Sequence, residues 1–321
     1  MPHAAARFAA TVLATVFILG CAREAVTVAP EPLIPDTPDG TVLAVAKHLA
    51  DHDPSILWEA LPETYRTDIN ELTRVFAAKM DPELYNRSMA LARRTVEVLQ
   101  DKQAIILGSQ TVASTGVDVA EVERGMNGGL AVAHALLSSE ITTLEGLGAV
   151  DWSGFLSGTG RQLMLLADNA APAAEPEVAG EDLFAALRTL TVETVSISED
   201  SAMLRITAAD EEPEEVAVTR VEGRWVPAEM AAEWPQKVAE ARARLEELTP
   251  EKIAELKPQA MFGLAMAEAF VEQMAAIESS EQFDAAVGPM LQSVMGSLAF
   301  APPPAGEASQ ADDEPVQAVE E

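Results

Sequence analysis

Residues 194–227, "TVSISEDSAMLRITAADEEPEEVAVTRVEGRWVP", decide the fold class of this chain. Apolar and polar residues alternate here in three runs, the period-two pattern that is typical of half-buried strands. The segments "SEDS", "ADEEPEE" and "VEGRWV" supply the turns, and Gly223 in the last one favours a tight hairpin. The pattern predicts an antiparallel meander of three or four strands, one face of which needs a helix to cover it.

Helical patterns flank the meander on both sides. Before it, proline-led helix starts recur at Asp53-Pro54, Pro62 and Asp81-Pro82, which predicts short connections between antiparallel neighbours. After it, Trp234-Pro235 predicts a kinked or restarted helix, and Thr249-Pro250 predicts the capped start of the next one. The predicted fold class is therefore α+β, predominantly helical: a helical bundle with a small antiparallel β-meander.

The last helical region carries two apolar stripes. Stripes at helical spacing are typical of core-facing sides, so we predict that both are buried. Because methionine adapts to irregular surfaces, a groove for a partner is the alternative. The first stripe contains Phe262, Met266, Phe270, Met274 and Ile277, and the second contains Phe283, Val287, Leu291, Val294 and Leu298.

Two glycine-rich stretches between residues 108 and 169 invite comparison with phosphate loops. The first, "ERGMNGGLA", lacks the Lys-Ser/Thr ending, and the second, "SGFLSGTGRQ", has no preceding strand. We therefore predict that these glycines serve close packing between helices.

The amino terminus has the pattern of a secretory signal. Arg7 precedes 13 uncharged residues that end at Gly20, which is too short for a helix crossing a bilayer but suits a signal peptide. Cys21, the only cysteine, follows directly. A plain signal peptide with an incidental cysteine, or a buried thiol in a helix, are the alternatives.

The residues Ile18, Leu19, Gly20 and Cys21 resemble the lipobox of bacterial lipoproteins. The resemblance implies cleavage after Gly20, a diacylglyceryl thioether on Cys21 and attachment to a membrane by acyl chains. Residue 22 is alanine, and the sorting pattern of Gram-negative lipoproteins then implies an outer-membrane location facing the periplasm.

The remaining boundaries follow from composition. Four prolines between residues 30 and 38 predict a semi-rigid tether, and six acidic residues with no basic ones predict a disordered tail. The predicted organisation is a signal peptide (1–20), a lipidated Pro-rich tether (21–39), a helical region (40–169), a linker (170–181), the meander with carboxyl-terminal helices packing on the helical region (182–299), and the acidic tail (300–321).

The formal net charge of −31 disfavours nucleic acid as a partner, since phosphate binding depends on clusters of basic residues.

Residues suited to catalysis or metal binding are scarce. His48 and His52 stand four apart on a predicted helix, but "HLADH" lacks the glutamate of H-E-x-x-H and no third ligand follows. We therefore predict no catalytic residue, no metal site and no cofactor, and Cys21 as the one modified residue.

A second resemblance concerns the two ends of the body. The stretches "LADHDPSILWEALPETYRTD" and "VTRVEGRWVP" look similar to envelope proteins of the nuclear transport factor two-like class, over residues 40–75 and 185–235. The class places helices on a curved sheet and serves binding, assembly and sometimes catalysis.

We therefore expect a lipid-anchored cell-envelope protein that acts as a non-catalytic binding or assembly module with an envelope protein as its partner. One alternative is a periplasmic hydrolase that uses carboxylates or His134, and another is a carrier that encloses a small ligand under the sheet.

Overall fold

The computed structural model describes residues 33–114, 116–170, 183–208 and 212–287. The predicted signal peptide, Cys21, most of the tether, nearly all of the linker, the acidic tail, part of the "ADEEPEE" turn and the Leu291–Val294–Leu298 half of the second stripe lie outside these ranges.

The first half of the body is helical. Its helices are α1 (Pro38–Ala50), α2 (Ser55–Ala60), α3 (Glu63–Lys79), α4 (Pro82–Asp101), α5 (Gln103–Leu107), α6 (Gln110–Ala113) and α7 (Val119–Leu137). After a 3-10 turn at Glu140–Thr142 come α8 (Leu144–Gly148), α9 (Trp152–Phe155), a π-helical turn at Leu156–Gly160 and α10 (Arg161–Ala170).

The second half places a sheet between helices. Helix α11 (Leu183–Thr189) precedes strands β1 (Thr191–Ile197), β2 (Ser201–Thr207), β3 (Glu214–Val221) and β4 (Arg224–Pro227). Helices α12 (Ala228–Glu247) and α13 (Pro250–Ala275) follow, and α14 begins at residue 280 and reaches 287, the last described residue. The predicted α+β, predominantly helical class is confirmed.

Helix starts follow the predicted capping signals. The Asp81 carboxylate accepts a hydrogen bond from the Leu84 amide, and Thr249 accepts one from the Lys252 amide, each ahead of a proline in the first turn. The N-cap position of α2 is Pro54, which provides no side-chain hydrogen bond, and Asp53 just before it accepts from the amide and hydroxyl of Ser55, the first residue of the helix.

The four strands form one antiparallel sheet in the order β1-β2-β3-β4, which confirms the predicted meander. Glu222 and Gly223 both have positive φ, at 49° and 78°, in the two-residue turn between β3 and β4. One face packs on α1 and carries a cluster of Ala202, Leu204, Val218 and Trp225. On the opposite face Arg205 pairs with Glu193 and Glu215, so that face suits water.

The main core lies where α1, α2, α3 and α9 meet. Ile56, Leu57 and Trp58 of α2 are fully buried, and the Trp152 ring meets Phe155 edge-on at 5.6 Å between centroids. The other buried members are Ile34, Val45, Leu49, Ala60, Leu61, Tyr65, Ile69 and Leu156. Since α2 contributes three consecutive buried residues, most of its circumference is covered by the rest of the protein.

A second layer consists of α4 and α13. Val98 of α4 packs with Val271 and Met274 of α13, and α14 adds Phe283. Charged side chains complete the contact: Arg87 binds Glu268 through two hydrogen bonds of 2.6 and 2.5 Å, Arg94 binds Glu272 through two of 2.7 and 3.0 Å, and Lys257 pairs with Asp81 and Glu83.

The prediction that the first stripe is buried along its whole length was wrong. Met274 and Ile277 are buried, but Phe262, Met266 and Phe270 expose 69%, 58% and 37% of their surface. The reason is that α13 is packed on one side only: within the described ranges its principal neighbour is α4, and the side turned away from α4 lies open.

The structure also corrects the predictions for the helix around Pro235 and for the glycines. Helix α12 does not restart at Pro235; it begins seven residues earlier and continues through that proline. Trp234 holds the segment in place, because its ring stacks on Tyr65 at 4.1 Å and its Nε1 donates to Asp68 at 3.0 Å. Glycine serves close packing at Gly160, where a Cβ would lie 3.1 Å from Pro54, whereas the prediction was wrong for Gly125, Gly129 and Gly158, which face open space.

Candidate functional site

An open apolar groove lies between α3 and α12. Its walls come from Leu72, Thr73 and Phe76 on one side and from Ala241, Arg244 and Leu245 on the other, and Leu147 of α8 and Trp152 of α9 complete the lining. The volume is about 370 Å³, which falls within the roughly 300–1,000 Å³ of ordinary ligand sites. The groove is shallow and open along its length, a shape that suits an extended or helical segment.

Side-chain contacts join the two walls at two positions along the groove. Arg242 of α12 binds Asp68 and Glu71 of α3 at 2.7 and 2.8 Å, next to the Tyr65–Trp234 stack. Farther along, the Lys79 ammonium donates to the Leu245 carbonyl at 2.7 Å. Because these contacts fix the spacing of α3 and α12, the groove exists before anything binds.

The groove has few polar groups, of which Arg244 and the indole nitrogen of Trp152 are the most distinctive. Arg244 is exposed on the rim and makes none of the ion pairs found in the described part of the chain. Trp152 is 1% exposed, and its Nε1 has no hydrogen-bond partner among the described residues. The site therefore offers apolar contact along its length and one cationic group that can bind a carboxylate.

The two histidines of the predicted helix do not face each other. Helix α1 ends at Ala50, and His52 takes a positive φ of 59° beyond it. His48 Nδ1 lies 3.1 Å from Asp53, whereas His52 Nε2 lies 2.8 Å from Asp168. Each imidazole thus has its own carboxylate, and within the described ranges no three His, Cys, Asp or Glu side chains come together as metal ligands.

The carboxyl of Asp53 has a lowered pKa. Burial by itself would raise the pKa of its carboxyl, but the hydrogen bonds from Ser55 and His48 together outweigh burial and lower that pKa. Asp53 is therefore held as a carboxylate that orders the junction of α1 and α2. His134, the residue named for a hydrolase, is exposed in the last turn of α7.

A small, partly enclosed cavity lies under the sheet, at the place predicted for a carried ligand. Val42 and Val45 of α1 line it together with Ile206, Val218 and Trp225 of the sheet. Its volume is about 40 Å³, an order of magnitude below that of sites that enclose a small organic ligand. The carrier alternative stays a prediction, and it requires this cavity to widen.

Sequence reasoning reached only part of the groove. Leu72 and Phe76 stand at helical spacing from Tyr65 and Ile69, which predicts one apolar side of a helix after Pro62, but nothing in the sequence marks them as surface residues. Leu147 and Trp152 come from the glycine-rich part of the predicted helical region (40–169), where no individual helix was assigned. Ala241 and Leu245 come from a helix predicted to kink or restart at Pro235. The useful signal was the apolar face of α3, which continues past the buried Tyr65 and Ile69.

No helix in the described ranges is long and apolar enough to cross a bilayer. No protein-family model, curated protein or solved structure matches this chain significantly.

Proposed function

We propose that this chain is a lipid-anchored cell-envelope protein whose folded body binds an apolar segment of a partner protein. The groove between α3 and α12 carries the binding part of the proposal, and the lipobox at Ile18, Leu19, Gly20 and Cys21 carries the anchoring part. In this proposal the protein is a binding or assembly module and performs no catalysis.

The shape and lining of the groove support a helical or extended peptide as the ligand. Apolar anchors spaced along a helix fill shallow grooves of this kind, and Leu72, Phe76 and Leu245 offer contacts along the length of both walls. Arg244 on the rim selects a segment that bears a carboxylate beside its apolar face. The ligand is therefore an amphipathic segment with at least one acidic residue.

Site-specific photocrosslinking in intact cells tests the binding part. A photoreactive side chain at Thr73, in the groove, should give one discrete adduct with an envelope protein. The matched control places the same group at Glu199, an exposed residue in the β1–β2 turn, and should not give that adduct.

Substitutions in the groove make the test specific. Phe76→Glu should abolish the Thr73 adduct because it puts a charge among apolar contacts. Arg244→Glu should abolish it as well, whereas Arg244→Lys should retain a reduced yield because the positive charge remains. An adduct that survives Phe76→Glu, or that forms equally from Glu199, would contradict binding at this groove.

Fractionation tests the anchoring part. Cys21→Ala removes the thiol that the acyl chains would modify, so the protein should leave the membrane fraction or accumulate uncleaved. Unchanged fractionation would disprove lipid anchoring and leave the groove proposal standing.

A further inference from the structure

The side of α13 turned away from α4 is an uncharged apolar surface, which we call the α13 face and define by Phe262, Met266 and Phe270. No charged residue occurs from Pro258 to Ala267. Glu268 and Glu272, the next two acids, bind Arg87 and Arg94 of α4. The acidic residues of this part of the helix therefore pair with α4, and its open side carries apolar residues where a surface helix ordinarily carries polar ones.

The exposed area is too small for a stable dimer. With about 200 Å² for each large side chain, the three residues expose on the order of 300 Å². Stable interfaces between separate chains bury about 800 Å² on each partner. A segment that is already attached to the same chain needs far less contact, because its effective concentration is in the millimolar range.

The chain continues from the right place to supply such a segment. Val287, the last described residue, packs against the cluster that contains Val271 and Met274 of α13. Phe262 lies nine residues before Val271, which is about 14 Å along a helix. The 13 residues from 288 to 300 span about 43 Å when extended and about 20 Å as a helix, so they reach the whole face in either form.

The composition of residues 288–300 complements the α13 face. The sequence "GPMLQSVMGSLAF" contains no charge, and its Leu291, Val294 and Leu298 continue the apolar spacing that begins at Phe283. Charges return only at Glu307, in the acidic tail. An uncharged apolar segment and an uncharged apolar helix face thus lie within reach of each other in one chain. We infer that residues 288–300 pack on the α13 face of their own chain.

Disulfide trapping tests this inference directly. Full-length protein with Cys21→Ser has no native thiol, so Met266→Cys can be combined with a second cysteine at Leu291, Val294 or Leu298 in turn. On oxidation, at least one pair should close within a monomer, and mass spectrometry should find the two peptides joined. Ile197→Cys on the sheet edge, combined with the same three positions, is the control that should stay reduced.

The other outcomes overturn the inference. A disulfide that links two chains would show that a second copy covers the face. Thiols that stay reduced at all three positions would show that the face is open or is covered by a different protein.

Truncation gives an independent measurement. A chain that ends after Val287 should bind more of a dye specific for apolar surface and should have a lower Tm than the full chain, because the α13 face loses its cover. A chain that ends after Phe300 lacks only the acidic tail and should match the full chain in both respects. Equal behaviour of the two truncated chains would contradict packing by residues 288–300.

Discussion

The core around α2 and the layer formed by α4 and α13 are held together by different physics. Around α2, Trp58, Leu57 and Trp152 are removed from water almost completely. Between α4 and α13, a few apolar side chains are flanked by partly exposed ion pairs such as Arg87–Glu268. In the first region, burial of apolar surface contributes a large free energy that is insensitive to salt. In the second region, each exposed ion pair contributes little free energy, and salt screens it.

This difference predicts that the α2 core controls the stability of the whole fold, whereas the layer of α4 and α13 controls only the attachment of α13. Loss of a contact around α2 should unfold the protein, because the sheet, α3 and α9 all pack on that core. Loss of a contact between α4 and α13 should release α13 and leave the rest folded.

Trp58→Ala should cause the largest loss of folding stability. Trp58 is 1% exposed, and removal of its ring leaves a cavity that lowers the free energy of unfolding by about 3–5 kcal/mol. Denaturant unfolding measures this. Trp58→Phe is the matched control and should cost much less, because the ring remains and the buried indole nitrogen, which lacks a partner among the described residues, is removed. Equal losses for the two variants would contradict a packing role.

Thr249→Ala should have an intermediate and local effect. The Thr249 hydroxyl caps α13 by accepting from the Lys252 amide, and loss of such a cap costs about 0.5–2 kcal/mol. Hydrogen exchange should quicken in α13 and stay unchanged in α2 and α3. Thr249→Asn preserves a capping oxygen and should behave like the natural chain. Faster exchange throughout the protein would show that the two regions form one cooperative unit.

Glu268→Gln combined with Glu272→Gln should have a smaller effect on the same helix. Both substitutions keep the side-chain size and remove the charges that bind Arg87 and Arg94. Exchange in α13 should quicken at low salt, and the difference from the natural chain should shrink at high salt because salt screens exposed charges. The absence of any difference at low salt would assign the attachment to apolar contact alone, and a difference that persists at high salt would contradict attachment by exposed, screened charges.

Acid should reproduce that loosening in the natural chain. The hydrogen bond from Arg87 lowers the pKa of the Glu268 carboxyl below its ordinary 4.5, and Arg94 lowers that of Glu272 in the same way. Their stabilisation is therefore complete above about pH 4.5 and lost as pH falls through the lowered values. Exchange in α13 should rise only in that acidic window, and the double glutamine variant should show a weaker pH dependence.

Local signals predicted much of the fold. The caps at Asp81 and Thr249 and the turn at Gly223 each depend on a few adjacent residues, so the sequence alone discloses them. The continuity of α12 through Pro235 was missed because it depends on Trp234 contacting Tyr65 and Asp68, more than 160 residues earlier in the chain. Contacts of that range leave no periodic signal.

The two apolar surfaces were missed for a related reason. The stripe from Phe262 to Ile277 has uniform helical spacing, and the spacing cannot tell which end meets a neighbour. Likewise, Leu72 and Phe76 continue the buried face of α3, and only the position of α12 leaves them beside an open groove. Periodicity predicts an apolar side of a helix, whereas the rest of the fold decides whether that side is covered.

The contacts that α3 makes with distant parts of the chain affect the order of folding. Thr64 donates to the Glu222 carboxylate, 158 residues later, and Trp234 donates to Asp68, 166 residues earlier. At about 5–20 residues per second, synthesis reaches these partners roughly ten to thirty seconds after α3 emerges. During that interval the apolar side of α3, including Tyr65 and Ile69, has no native cover from α12. The nascent chain thus needs either a protecting factor or rapid transit through this interval to avoid aggregation.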